Sequence, residues 1–187
     1  MAIETRIDEE AYLRLAFAEP DRKWELVDGR LREKPAMTFR HNQWEITVGF
    51  AIRSQLDLSV YEVRIDAGRL RKPGATYYIP DVFVFPLAFA TEFKDRDDVL
   101  EVYDGPLPLV VEIWSRSTGG YDVEEKLADY QARGDAEIWR LHPFERTLMR
   151  WVRQADGSYE ESLLRGGVIR LAALPGVAID LDALFAG

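Results

Sequence analysis

The sequence predicts a mixed α/β fold, helices flanking a mixed sheet, and three observations carry that prediction. Segments with apolar residues at three- and four-residue spacing are interspersed with short apolar runs, the two patterns of helix and strand. The 187 residues, 47% hydrophobic and 30% charged, are enough to bury one substantial core. No internal repeat or low-complexity linker interrupts them, so a single domain over residues 1–187 is expected.

Asp8 to Ala18, with Glu9 and Glu10 first and Tyr12, Leu13, Leu15, Ala16 and Phe17 following, predicts a short amphipathic helix with acids in its first turn. Trp24 to Arg32 is two short strands joined by Asp28-Gly29, the pair that type I′ hairpin turns select. From about Phe39 to Leu56, Trp44, Val48, Ala51, Ile52 and Gln55 recur at helical spacing. Segments near 60–71, 78–85 and 109–114 are expected as strands, with an exposed acidic loop between the last two. Asp122 with Glu125 three residues on predicts a capped helix, and Gly134 stands where a terminating glycine belongs. Strands are expected at 136–141, 147–153 and 158–164, the last two around Asp156-Gly157, and Pro175 to Gly187 as a packed tail.

Composition removes whole classes of chemistry. With no cysteine there is no disulfide framework, thiolate metal site or cysteine nucleophile, and two histidines exclude a histidine-rich metal centre. Neither a signal peptide nor an apolar run of the roughly 18 residues of a membrane span is present, so the expected location is the cytoplasm. A net charge of −9 argues at face value against nucleic acid. The charge is uneven, however. Residues 22–40 hold six basic against three acidic side chains, Arg64, Arg69, Arg71 and Lys72 face Asp66 alone in 64–72, and 92–104 hold six acids against two bases. A basic face on an acidic remainder is one reading; alternating charge on solvated hairpins is the other.

Two carboxylates stand out because each interrupts an apolar strand: Asp81 in Tyr77-Tyr78-Ile79-Pro80-Asp81-Val82-Phe83, and Glu112 in Leu109-Val110-Val111-Glu112-Ile113-Trp114. An unpaired buried carboxylate costs several kcal/mol. Two meeting over one cation would remove that cost, and an oxygen-only pair suits Mg²⁺ or Mn²⁺. The plain structural alternatives are a strand-start residue after proline for Asp81 and a buried salt-bridge partner for Glu112. Lys126 shares a helix face with Val123, Leu127 and Tyr130, the face turned to the sheet, and there it needs an anion. Glu112, Asp81 or a substrate phosphate could supply it, or the lysine stem could snorkel past the core edge.

The ordered set Pro80-Asp81, Glu112, Ser115, Asp122, Lys126, Tyr130, Gly134 and Trp139 resembles the Uma-type family of restriction-endonuclease-like proteins, within the PD-(D/E)XK nuclease superfamily. Trp24-Glu25-Leu26-Val27-Asp28-Gly29, His41, Leu174-Pro175-Gly176 and Leu184-Phe185 extend the similarity over most of the chain. The resemblance implies a restriction-endonuclease-like fold, a central mixed sheet flanked by helices, and Mg²⁺- or Mn²⁺-dependent phosphodiester hydrolysis with Asp81 and Glu112 as metal ligands. It also suggests that Glu25 joins the acidic cluster, where the alternative is an exposed strand carboxylate. His41 is a candidate base or phosphate contact. The sequence departs from the superfamily at Glu112-Ile113-Trp114, where Glu-x-Lys is expected, and Lys126 is the candidate replacement.

The expected function is therefore a metal-dependent nuclease with Asp81, Glu112, Lys126, Glu25 and His41 at its site, acting on nucleic acid, DNA in preference, as a homodimer or higher homo-oligomer. The rival is a catalytically inactive scaffold or binding protein on the same fold, with Asp81, Glu112 and Lys126 as a structural ion cluster.

Overall fold

The computed structural model describes residues 6–115 and 121–186, without the side chains of 121–124. Helix α1 (Glu9–Ala18) is capped by Asp8, whose side chain accepts from the Ala11 N–H at 2.7 Å. Strands β1 (Trp24–Val27) and β2 (Arg30–Glu33) form the hairpin expected over Asp28-Gly29, both at positive φ, 48° and 80°. Helix α2 (Phe39–Arg53) follows, capped by Thr38.

The stretch expected as one strand near 60–71 is two, β3 (Tyr61–Ile65) and β4 (Arg69–Lys72), lying in different sheets. Asp66 and Gly68 between them take φ of 48° and 72°, which turns the chain out of the first sheet. The 78–85 segment likewise divides into β5 (Thr76–Tyr78) and β6 (Val82–Pro86), because Pro80 lacks the N–H a ladder requires. The acidic stretch then holds a 3₁₀ turn, Leu87–Ala90, and a two-residue strand β7 (Val102–Tyr103), so it is not the plain exposed loop expected. Strand β8 (Leu109–Ile113), helix α3 (Tyr121–Arg133), β9 (Glu137–His142), β10 (Thr147–Arg153) and β11 (Tyr159–Leu164) follow closely the order expected. The cap expected from Asp122 involves a side chain outside those described; Gly134 ends the helix at φ 82°. A small hairpin of β12 (Val168–Arg170) and β13 (Ala178–Asp180) leads into α4 (Leu181–Ala186).

The central sheet has six strands in the order β11-β10-β9-β8-β6-β3, antiparallel except for β8 beside β9, whose parallel pairing is reached through α3. A second sheet, β2-β1-β5-β4-β7, was not foreseen. Alternation divides the core. Val82, Val84, Val111 and Ile113 pack with Val48 and Ile52 of α2, while Phe83, Phe85 and Val110 pack with Tyr130 of α3. Among the described residues no helix is long and apolar enough to cross a membrane.

Candidate active site

Two of the crossings between the sheets, at Asp66 and at Ile79-Pro80-Asp81, lie side by side, and the Asp66 N–H donates to the Asp81 carbonyl at 2.8 Å. This seam adjoins the ends of β6 and β8. The antiparallel register runs to Val82↔Val111, so one residue further Asp81 stands across from Glu112. Both are buried, at 2% and 6% exposure.

Each carboxylate already has partners. Asp81 Oδ1 accepts from Lys34 Nζ at 2.8 Å, and Oδ2 from the Ile113 N–H at 2.7 Å, with His41 Nε2 3.2 Å away. Lys34 Nζ also donates to Asp66 Oδ1 at 2.9 Å and the Ile79 carbonyl at 3.0 Å. On the α3 side, Glu112 Oε1 accepts from the Tyr130 hydroxyl at 2.6 Å and Lys126 Nζ at 3.4 Å. Lys126 Nζ lies closer to Glu25 Oε1, 3.1 Å, which also accepts from the Ile79 N–H at 2.9 Å. The Ile79 peptide thus ties the two halves into one polar network, running from Glu112 through Lys126, Glu25 and Lys34 to Asp81. Glu25 is 2% exposed, so it belongs to this cluster and is not a solvated strand carboxylate.

Sequence reasoning missed two members. Glu45 lies one turn after His41 on α2, buried at 3%, and its Oε1 faces His41 Nδ1 at 3.4 Å. Among the described residues neither atom has a hydrogen-bond partner. His41 Nε2 sits 3.1 Å from the Ile113 carbonyl, between that oxygen and Asp81. The face drawn through Trp44, Val48, Ala51, Ile52 and Gln55 caught Val48 and Ile52 but not the rest, since the residues α2 buries are His41, Glu45, Val48, Gly49 and Ile52. The i, i+4 pair His41 and Glu45 was the available signal. Lys34, just past a hairpin strand, carried no comparable local signal.

Charge sets the protonation states. Burial pushes the Asp81 carboxyl up, but Lys34 and then His41 outweigh it and hold the group well below its ordinary value. Burial alone would depress His41, and Asp81 raises it instead. Burial, reinforced by the Asp81 charge, pushes Glu45 up to about 7. Burial also drives the Tyr130 hydroxyl well above its usual range, helped by Glu112, so it remains a donor.

A family model described as "putative restriction endonuclease" matches residues 9–182. The chain belongs to this Uma2 family. Its fold is similar to the crystal structure of a "putative nuclease belonging to DUF820" from Anabaena variabilis ATCC 29413, with a TM-score of 0.72 and 15% identity over 87% of this chain and 89% of that one. No curated protein matches the sequence. The restriction-endonuclease-like fold expected from the resemblance is the one observed.

In this Uma2 chain Trp114 stands where the resemblance led to an expectation of lysine, and Lys126 of α3 brings its ammonium to Glu112 from the neighbouring helix. The basic segment 64–72 does not form the separate face that one reading of the charges allowed. Its strand β4 pairs with β7 of the acidic segment, Arg64 binds Glu101 at 2.6 Å, and Arg71 lies 3.4 Å from Asp104.

Proposed function

We propose that the chain is a Mg²⁺- or Mn²⁺-dependent nuclease that hydrolyses phosphodiester bonds, with DNA as the preferred substrate. The observation that carries this reading is the buried network joining Asp81, Glu112, Glu25 and Lys126 at the strand ends of a restriction-endonuclease-like fold. The donor set fits a divalent cation. His41, Glu45 and Asp81 each offer a ligand atom within 4.8 Å of the others, and two of these residues carry the orphaned atoms His41 Nδ1 and Glu45 Oε1. Buried polar atoms are seldom left so, and a cation would satisfy them. Asp81 and Glu45 are the ligands on the α2 side, with His41 beside them, and Glu112 is available on the α3 side. A bound Mg²⁺ or Mn²⁺ supplies charge to the phosphate and lowers the pKa of an attacking water.

The side chains themselves hold this arrangement. The Ile113 N–H and Lys34 fix both oxygens of Asp81. Tyr130 and Lys126 fix Glu112, and Lys126 brings a positive charge to where negative charge develops on a phosphate. His41 holds a hydrogen at Nε2 between Asp81 and the Ile113 carbonyl, which orients the carboxylate.

The test uses chelator-stripped protein with added Mg²⁺ or Mn²⁺ on duplex DNA, single-stranded DNA and RNA, comparing wild type with Asp81→Asn and Glu45→Gln. Cleavage that requires metal and is lost in both variants supports the reading. A parallel thermal melt reports the metal directly, since a cation at 100 times its Kd stabilises by about 2.7 kcal/mol.

One observation favours the scaffold reading. Lys34 and Lys126 already neutralise the two strand carboxylates, as in a structural ion cluster on a homo-oligomeric scaffold. No metal-induced stabilisation and no cleavage, with a stable homodimer by light scattering, would establish it.

A further inference from the structure

A cavity of about 210 Å³ opens beside the network, with His41 in its wall. Trp114 stacks on His142 at 4.3 Å between centroids, Phe144 stands edge-on to Trp114 at 5.8 Å, and Trp44 closes another wall. Phe144 is 55% exposed, and the Arg40 guanidinium lies 5.0 Å from its ring centroid. The volume falls below the roughly 300–1,000 Å³ of drug-sized pockets, so it suits one planar ring system.

Its charge is the second observation. The chain carries 33 acidic residues and a net charge of −9, yet among the described residues no acid lines this cavity, and Arg40 stands as a cation at its edge. An adjoining cavity of about 140 Å³ shares Arg40, Trp44 and Pro143, adds Arg146, and among the described residues is also free of acids. Arg146 is held at φ 51° in the turn after β9. The nearby Glu145 turns toward His142, 3.8 Å away. By contrast, a groove of about 640 Å³ elsewhere mixes Arg6, Arg30 and Arg32 with Asp28, Glu125 and Asp129, a poor surface for a polyanion.

We infer that the Trp114-Phe144 cavity binds an unpaired nucleobase next to the scissile phosphate, with Arg40 and Arg146 on the sugar-phosphate backbone. This rests on the nuclease reading and makes its substrate a single-stranded or locally unpaired nucleic acid. Aromatic faces accept any base, and the arginines follow the phosphates without reading sequence. His41 joins this cavity to the metal-ligand candidates, because its Nε2 lies 3.2 Å from Asp81. The position that carries lysine in the superfamily pattern here provides a stacking surface.

The experiment measures anisotropy of a fluorescein-labelled 12-nucleotide oligodeoxythymidine and of a blunt duplex of the same length, in chelator, with wild type, Phe144→Ala and Arg40→Gln. The single strand binds more tightly than the duplex to wild type. Phe144→Ala weakens the single strand by about 5- to 150-fold, the equivalent of one lost base stack of about 1–3 kcal/mol, and leaves the melting temperature and duplex binding unchanged. Arg40→Gln flattens the slope of log affinity on log salt by about 0.7, as for one single-strand phosphate. Unchanged single-strand affinity in Phe144→Ala overturns the pocket, as does a Phe144→Ala protein that changes from dimer to monomer, which would make the cavity a subunit contact. Where metal-dependent cleavage persists beside either result, the nuclease reading stands and only the pocket falls; absence of both binding and cleavage overturns both.

Discussion

Replacing Lys126 with methionine tests whether the cluster is held as described. The ammonium is 1% exposed and lies between Glu25 Oε1 at 3.1 Å and Glu112 Oε1 at 3.4 Å, over the Tyr78 ring at 5.4 Å. Methionine preserves most of the volume, so packing alone should change little. What changes is charge: two buried carboxylates lose a shared cation, and breaking such a pair costs about 3–5 kcal/mol. For a chain of this size that is a fall in melting temperature of roughly 6–20 °C. Glu112→Gln should behave differently, because Lys126 keeps the nearer Glu25 and the new amide oxygen still accepts from Tyr130; its cost is about 1.5 kcal/mol or less. Glu25→Gln, which removes the closer carboxylate, should fall between them at about 1.5–3 kcal/mol. Urea unfolding of all three in chelator, followed by tryptophan fluorescence, measures the order. A Lys126→Met protein as stable as wild type, or a Glu112→Gln protein damaged as severely as Lys126→Met, refutes the shared-cation account.

Three further outcomes are expected. Glu9 is bound by Arg71, Tyr77 and the Ala75 N–H, chiefly Arg71, which lowers its pKa from 4.5, so its stabilisation is present above 4.5 and is lost as pH falls through the lowered folded value. Glu9→Gln should therefore cost about 0.5–1.5 kcal/mol at pH 7, the pair with Arg71 being about a third exposed and screened by solvent, and a stability gap to wild type that does not narrow below pH 4.5 contradicts this. Gly68→Ala should destabilise by about 1–3 kcal/mol by calorimetry, since a Cβ would meet Phe83 Cζ at 2.9 Å on a backbone at φ 72°; an unchanged melt argues against so tight an approach. Asp135→Ala should unfold well below wild type in the same experiment, by about 3–5 kcal/mol, because Arg133 at 3.1 Å and the Leu107 N–H at 2.7 Å lose a fully buried partner.

Local patterns made much of this legible in the sequence. The Asp28-Gly29 hairpin, the first helix with acids in its first turn and the Gly134 stop are decided within a few residues, and so were read directly. Asp81 and Glu112 declared themselves by standing where apolar side chains belong, and Lys126 by its helix face. The second sheet was hidden because its pairings join distant segments, such as Leu26 with Tyr77 and Leu70 with Tyr103, although Asp66, Gly68 and Pro80 mark the breaks that create it. Lys34 was out of reach for the same reason, since its importance lies in Asp66 and Asp81, residues 32 and 47 positions away. Glu45 was legible in principle, but the stripe read through Val48 and Ile52 was extended to Trp44, Ala51 and Gln55 and passed beside it.

The seam where the crossings at Asp66 and at Ile79-Pro80-Asp81 lie side by side has a consequence for anyone rebuilding this protein. Asp66 and Asp81 lie in these two neighbouring crossing segments, are joined by a backbone hydrogen bond, and share Lys34. The sheets are therefore not interchangeable modules: a split-protein cut, a circular permutation or a chimaera that exchanges one sheet would sever the carboxylate network along with the connection. Recombination breakpoints that spare it belong at exposed turns such as Asp156-Gly157, far from either crossing in sequence.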